Sequence, residues 1–346
     1  MVRRILYALL ALGPLVIAVD KFTDVGDITL FVLAALALVP LAWLIGEATE
    51  HAAHHTGPGI GGFLNATFGN APELIIALIA VNSGLTEVVR GSLTGSVIGN
   101  LLLVLGFSLL FGGSGRLDRE SSLTSFVLVA FAVVLFLIPS IPGWDGDPDR
   151  RSLAVASVPV SIVLLLVYVV VTGYSLRRHR SLHVSDEGAV MRAWSLPLSL
   201  GVLAAATVVT AFVAETLVHT LQVFADEVGL TDFFVAAVIV AIVGNAAEHG
   251  GAVVVAYRGN IKLAAEIALA SSAQVAVFLI PAVALVSWLI EPLALSFRQV
   301  EIIAVAGSVV FTALLLFNGR SSRWRGAVLI AAYVGVAIGF YAVGDR

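Results

Sequence analysis

Two glutamates stand in the same short motif at two places in the chain. The sequence GNAPE at 69–73 matches GNAAE at 244–248, an offset of 175 residues. In each motif the asparagine and the glutamate are three residues apart, so they share one face of a helix. Apolar sequence follows both motifs, and a charged side chain at the bilayer centre costs at least ~2.5–3.5 kcal/mol. Two such carboxylates, Glu73 and Glu248, therefore predict a functional ion site.

Amide and backbone oxygens surround these carboxylates in the sequence. Asn70 and Asn245 supply the amides. Pro72 lacks an amide hydrogen, so the carbonyl four residues before it loses its helical partner. Gly69 and Gly244 weaken the same helices, and a freed carbonyl inside a membrane must line a cavity or bind an ion. Carboxylate, amide and carbonyl oxygens together suit Ca²⁺, whose charge two carboxylates balance.

The match between the two copies continues without a gap into the following helix, where Ser96 falls on Ser271. Polar residues of these helices are candidates for the rest of the ligand shell, or else they allow close helix packing. They are Ser96, Asn100, Ser271, Ser272 and Gln274. His249 follows Glu248 directly and points about 100° away on a helix. It either relays protons or is a buried structural histidine.

A second group of titratable residues lies at the end of the second predicted helix. It contains Glu47, Glu50, His51, His54 and His55. His51 and His55 have the i, i+4 spacing of a zinc pair, but the HExxH order is absent and the cluster lies near water. A solvated helix end is the preferred interpretation of the histidines. Glu50 is a candidate for a gate or proton path, and so is Glu215 in the seventh predicted helix.

The composition provides a membrane-embedded scaffold for these residues. Of 346 residues, 59% are hydrophobic and 12% charged, and the mean hydropathy is +1.03. Soluble domains are about 45–50% apolar and about 25% charged. We predict an all-α integral membrane protein with eleven spanning helices, each of about 20 residues. They lie near 4–20, 28–50, 58–82, 86–112, 122–140, 153–175, 195–221, 230–256, 261–289, 299–317 and 326–343. With no cysteine, disulfides and thiolate metal sites are excluded.

The repeat and the span count divide the chain into two related parts. We predict an extra first helix at 1–27, a five-helix repeat at 28–176, a linker at 177–193 and a second five-helix repeat at 194–346. Because five is odd, the second copy enters the membrane from the opposite side, as in transporters with inverted repeats. The linker is short and mixed in charge, which favours a solvated connector over a regulatory segment.

The distribution of Lys and Arg predicts the orientation. The N-terminal side carries 13 of them: Arg3, Arg4, Arg116, Arg119, Arg177, Arg178, Arg180, Arg192, Arg258, Lys262, Arg320, Arg323 and Arg325. The opposite side carries 6: Lys21, Arg90, Arg150, Arg151, Arg298 and Arg346. We therefore expect a cytoplasmic N-terminus and an outside C-terminus. No small-residue cleavage site precedes Asp20, so a retained first span is expected, and a prokaryotic inner membrane fits best. A vacuolar membrane has the same topology.

The motif-bearing segments resemble the cation/proton exchanger (CAX) family of the calcium/cation antiporter superfamily. The resemblance is strongest at 46–81 and 244–281, in the paired GNAxE motifs, the histidine after the second motif and the SSAQ segment. It implies eleven helices arranged as one plus five plus five, and export of cytosolic Ca²⁺ in exchange for H⁺ without a cofactor. It also implies ion binding by the motif residues, which fall on Glu73, Glu248, Asn70, Asn245, Gly69 and Gly244.

Two features depart from the family pattern. Some members sense Ca²⁺ through an acidic segment between the halves, but the linker here is not acidic, so such sensing is not expected. Pro72 stands where the family has a small or branched residue, which alters how the helix bends at the site.

The resulting hypothesis is alternating access, in which Ca²⁺ and protons compete for Glu73 and Glu248. A Na⁺-coupled or Na⁺/H⁺ exchanger on the same fold stays open, as do a passive channel and an intramembrane metalloenzyme that uses His51, His54 and His55. The repeat favours transport, because an enzyme needs no second GNAxE motif. Selectivity among Ca²⁺, Mn²⁺ and Na⁺, the stoichiometry and a homo-oligomeric state also stay open. The expected partners are the lipid bilayer and the transported cations, and not nucleic acid.

Overall fold

The computed structural model describes residues 2–179 and 194–344, so most of the predicted linker at 177–193 lies outside the described residues. The described chain is almost entirely helical. Its helices are α1 (Val2–Leu9), α2 (Leu12–Phe22), α3 (Asp27–Gly69), α4 (Ala71–Asn82), α5 (Thr86–Ile98), α6 (Leu105–Gly112), α7 (Arg119–Trp144), α8 (Arg151–His179), α9 (Leu196–Val228), α10 (Asp232–Phe234), α11 (Ala241–Gly244), α12 (Ala246–Tyr257), α13 (Ile261–Gln274), α14 (Ile280–Val286), α15 (Gln299–Leu315) and α16 (Arg323–Val343). Three π-helical segments (Gly99–Val104, Val235–Val240, Val275–Leu279), a 3₁₀ turn (Ser287–Leu289) and two short strands, β1 (Gly115–Arg116) and β2 (Arg320–Ser321), complete it.

The helices confirm the all-α membrane fold. Eight helices of the described part are long and apolar enough to cross a bilayer, or nine when the pair Asp232–Gly244 and Glu248–Tyr257, bent by 58°, counts as one broken span. Two further apolar helices, α4 and α15, are shorter. The count of eleven spans therefore stays a prediction.

The second predicted span and the beginning of the third belong to one helix, α3. It continues from Asp27 to Gly69 without interruption. On a straight helix Ile45 and Phe68 would lie about 35 Å apart. Both nevertheless pack into one cluster with Leu203 of α9. The helix therefore bends between them, and the stretch between them contains Gly-Pro-Gly at 57–59, residues that are usual at bends. Continuous helix thus stands where the sequence predicts a loop between the two spans.

Helix boundaries repeat at the same offset as the sequence. At 175 residues, α4 matches α12 at both ends, α5 and α13 begin together, and so do α6 and α14. A π-helical segment precedes both α6 and α14. The breaks before α4 and α12 fall on Asn70 (φ −97°, ψ 16°) and Asn245 (φ −90°, ψ 6°). The two copies thus share their local structure. The boundaries of the two halves and their opposite orientation stay predictions.

The two copies meet along α5. A Cβ on Gly95 would lie 1.9 Å from the carbonyl oxygen of Ala237, and one on Gly91 would lie 3.0 Å from the ring of Phe233. Glycine therefore lets α5 and the segment 233–240 touch backbone to backbone, as small residues do between membrane helices. This contact also places Ser96, the next residue of α5, beside the second copy.

Two arginines that the orientation count assigns to the opposite side are buried. Arg90 is 1% exposed and donates to Oδ1 of Asp149 at 2.7 Å. Arg298 is 6% exposed, donates to the carbonyl of Gly344 at 2.6 Å and stacks on Phe233 with its guanidinium 3.7 Å from the ring centre. Both belong to the side with fewer Lys and Arg residues. Leaving them out of the count therefore increases the excess of positive charge on the N-terminal side.

Candidate functional site

Glu73 and Glu248 occupy equivalent positions, each in the first turn of the short helix that follows a break. Each carboxylate faces the glycine of the other motif. A Cβ on Gly244 would lie 3.2 Å from Cγ of Glu73, and a Cβ on Gly69 would lie 3.5 Å from Oε1 of Glu248. Such reciprocal contacts are what a two-fold relation between two copies produces. The site is therefore shared between the copies.

A chain of hydrogen bonds crosses from one copy to the other. The hydroxyl of Ser271 donates to Oε2 of Glu248. Asn100 Nδ2 donates to Oγ of Ser271 at 3.0 Å and lies 3.5 Å from Oδ1 of Asn245. Asn245 Nδ2 in turn donates to Oγ of Ser96 at 2.7 Å. Three side chains of the predicted shell (Ser96, Asn100 and Ser271) and the motif residue Asn245 thus form one network that ends on Glu248.

Glu73 has a different environment from Glu248. It is 6% exposed, and neither of its carboxylate oxygens has a hydrogen-bond donor on another described residue. Burying an unpaired carboxylate is costly, so its persistence fits an ion ligand better than a structural hydrogen bond. A small cavity adjoins it, lined by Glu73, Ile76, Ser92, Leu93, Ser96, Val240 and Ala241.

Ser92 is a lining residue that sequence reasoning missed. It lies one helical turn before Ser96 on α5, and residues four apart share a helix face. That spacing is the signal that identifies it once Ser96 is assigned to the site.

The carbonyl of Phe68, which the sequence predicts to lack a donor because of Pro72, has one at the break before α4. Pro72 cannot donate to the carbonyl of Phe68, but the amide of Asn70 does so instead. The carbonyls of Asn70 and Asn245 accept from Leu74 and His249, at 3.0 and 2.9 Å. Oxygens for a cation must then come from other carbonyls of the last turns before the breaks, where helix ends leave acceptors without helical donors.

Several predicted residues lie near the site without joining its network. Ser272 bonds to the carbonyls of Ala268 and Val97, at 3.1 and 3.4 Å, so it packs α13 against α5. Gln274 is half-buried, and no hydrogen bond within the described residues links it to the site. His249 is also half-buried, and its Nε2 finds no hydrogen-bond partner among the described groups.

Two histidines of the second titratable group contact Trp194, in the segment that leads into α9. His51 stacks on Trp194 with ring centres 4.5 Å apart, and Nε2 of His55 lies 2.7 Å from the carbonyl of Trp194. Within the described ranges, no three His, Asp or Glu side chains converge as a metal centre requires. Glu50 and Glu215 are both exposed, and no described contact joins either to the site. Their role as a gate or proton path stays a prediction.

The sequence family model described as sodium/calcium exchanger protein matches residues 27–177 and 198–342. The chain belongs to this family. Members of this exchanger family are transporters and not enzymes, which confirms the expectation from the repeat. The match also confirms the membrane-exchanger fold, and the resemblance to cation/proton exchangers is borne out by individual relatives.

Two related proteins align with nearly the whole of this chain. The Ca²⁺/H⁺ antiporter ChaA of Bacillus subtilis (strain 168) is 37% identical over 350 residues, which are 98% of this chain and 99% of that protein. Vacuolar cation/proton exchanger 1 of Arabidopsis thaliana is 35% identical over 345 residues, 92% of this chain and 74% of that protein. Among solved structures, native YfkE superposes with a TM-score of 0.83 at 35% identity, over 97% of this chain and 99% of the other.

Proposed function

We propose that this chain exchanges Ca²⁺ for H⁺ across the membrane, and that Glu73 and Glu248 bind both. The observation that carries this proposal is the reciprocal placement of the two carboxylates, with the oxygens of Glu73 unmet by donors among the described residues. The names of the relatives, a Ca²⁺/H⁺ antiporter and a cation/proton exchanger, support this choice of ions.

Competition between the two ions follows from charge. Two ionised carboxylates inside a membrane need a neutralising partner. Ca²⁺ takes six to eight oxygens at about 2.3–2.6 Å. Glu73, Glu248, Asn70, Asn245 and carbonyls near Gly69 and Gly244 offer oxygens of this kind. Two protons neutralise the same carboxylates and leave no net charge to attract the cation. Ca²⁺ and protons therefore exclude each other.

Exchange requires that only the neutralised site changes its exposure from one side to the other. In an empty site both carboxylates are ionised, and moving two unpaired charges through the transition carries a large desolvation penalty. The empty site therefore does not change its exposure. In the orientation that the loop charges predict, Ca²⁺ loads from the cytoplasm and protons from outside displace it. The chain then exports Ca²⁺ by alternating access.

The test uses purified protein in liposomes with an imposed pH gradient and a Ca²⁺ indicator. Glu73→Gln and Glu248→Gln keep the side-chain size but remove the charge, so each should reduce proton-driven Ca²⁺ flux by on the order of 100-fold, since even partners of metal ligands are worth 10–100-fold. Glu227→Gln, at an exposed position of α9, is the matched control and should transport normally. Undiminished flux in both site variants would refute the assignment.

A Na⁺-coupled exchanger is the second candidate, because the family model that matches the chain is described as a sodium/calcium exchanger. Replacing the pH gradient by a Na⁺ gradient at equal pH separates the two. We expect Ca²⁺ flux with the pH gradient alone. Flux with the Na⁺ gradient alone assigns Na⁺ as the counter-ion.

A further inference from the structure

A two-stranded ladder joins two loops on the side of the protein that the charge count predicts to be cytoplasmic. In this antiparallel pair Gly115 lies opposite Ser321, and Arg116 lies opposite Arg320. Helices that begin or end within about one turn of it include α6, α7 and α16, three apolar segments long enough to reach the membrane. Trp324 is 59% exposed at the start of α16, and tryptophan marks the interface between water and lipid. The ladder therefore lies at the depth of lipid headgroups.

The two arginines of the ladder face each other without an acidic partner. Directly opposed residues of an antiparallel pair have Cβ atoms about 4.5–5.5 Å apart, and like charges there are destabilising. Arg116 and Arg320 are both exposed, and neither guanidinium forms an ion pair with a described carboxylate. The nearby Asp118 is occupied, because it accepts from Nζ of Lys262 at 3.0 Å and from two backbone amides.

A third arginine approaches the same place from the neighbouring turn. A Cβ on Gly113 would lie 3.7 Å from Nε of Arg323, and this guanidinium is also exposed and without an ion pair among the described residues. Arg325, by contrast, is engaged in the turn, where it donates to Oδ1 of Asn318 at 2.7 Å and to the carbonyl of Arg320. Arg116, Arg320 and Arg323 are therefore three exposed arginines around the same ladder and turn.

We propose that Arg116, Arg320 and Arg323 bind the phosphate group of an anionic phospholipid from the adjacent leaflet. Guanidinium groups bind phosphate oxygens in pairs, and an anion between Arg116 and Arg320 relieves their repulsion. A lipid fits better than a soluble anion because apolar surface continues from the ladder into the membrane. Leu314 is 71% exposed and Phe317 73% exposed on the segment that leads into β2, where acyl chains can lie.

The test measures lipid binding to purified, delipidated protein in a neutral detergent. Phosphatidylglycerol is titrated while the thermal unfolding midpoint is followed, with zwitterionic phosphatidylcholine and inorganic phosphate in parallel series. Removing two basic residues in Arg116→Gln/Arg320→Gln should weaken phosphatidylglycerol binding by about 30-fold, a roughly fivefold contribution from each. The matched control is Lys21→Gln/Arg151→Gln, which removes two exposed positive charges from the opposite side.

The proposal stands if the double variant needs about 30-fold more phosphatidylglycerol than the wild type and the control for the same rise in unfolding midpoint. It is overturned if the double variant and the control respond alike, or if inorganic phosphate at equal concentration reproduces the shift. Should the double variant fail to fold, Arg323→Gln replaces it, with an expected loss of about fivefold. An unchanged affinity in that single variant contradicts the proposal as well.

Discussion

Replacing Gly95 by alanine should separate the two copies of the repeat. The added Cβ would lie 1.9 Å from the carbonyl oxygen of Ala237, whereas ordinary contacts begin at 3.4 Å. The difference, 3.4 minus 1.9, is 1.5 Å, and the obstacle is backbone that no side-chain rotation removes. The helix α5 must therefore move away from the segment 233–240.

That movement reaches the ion site through the next residue of α5. Ser96 accepts from Nδ2 of Asn245 at 2.7 Å, and a displacement on the order of 1.5 Å exceeds what a hydrogen bond tolerates. Overpacking alone costs about 1–3 kcal/mol and more where backbone must yield. We expect Gly95→Ala to lower the unfolding midpoint in detergent and to raise the Ca²⁺ concentration for half-maximal flux by at least about tenfold.

Gly99→Ala is the matched control on the same chain segment, four residues further along. A Cβ there meets nothing within 4 Å, so the substitution should be neutral or slightly stabilising, since alanine loses less backbone entropy than glycine in a helix. Equal unfolding midpoints and equal flux in the two variants would refute the reasoning that α5 and the segment 233–240 touch through their backbones.

Two further predictions concern charges outside the ion site. Asp149→Ala leaves the buried guanidinium of Arg90 without its 2.7 Å partner and should destabilise the fold by about 2 kcal/mol or more. The control Asp145→Ala, at an exposed position, should leave the stability unchanged. Similar denaturation curves for both variants would contradict the burial of Arg90. The amide of Ser121 and then the ammonium of Lys262 lower the pKa of Asp118, which caps α7. A lowered pKa gives stability that is present above the unfolded value of about 3.9 and is lost as the pH falls through the folded value. Asp118→Asn should therefore reduce the fall in unfolding midpoint between pH 5 and pH 3, and an identical fall in both proteins would exclude this role.

The positions of the candidate site residues are the part of the molecule that the sequence predicts best. A fixed offset aligns two motifs, and the same offset aligns the helix ends around them, because a repeated sequence repeats its local backbone preferences. Helix spacing then places Asn245 near Glu248, whereas Ser271 reaches Glu248 from the next helix, α13. The reciprocal contact of each carboxylate with the opposite glycine depends on how the copies dock, which no local pattern contains.

Long-range contacts explain what the sequence did not predict. Arg90 lies near the start of the fourth predicted span and is counted as a charge at the membrane surface, but its partner Asp149, 59 positions away, holds it inside the protein. The bend of α3 is similar, because helical hydrogen bonds continue through a segment whose composition predicts a loop. Packing of Ile45 and Phe68 against α9 fixes that bend, and only the folded chain brings these residues together.

The shared site has a consequence for the order in which the protein is made. Glu73 gains its neighbour Gly244 only after about 170 further residues have been synthesised, which takes roughly 10–30 s at ordinary rates of translation. During that interval the first copy holds a membrane carboxylate without the surface that later encloses it. The contact of Gly244 with Glu73 is therefore made only when the second copy has been synthesised.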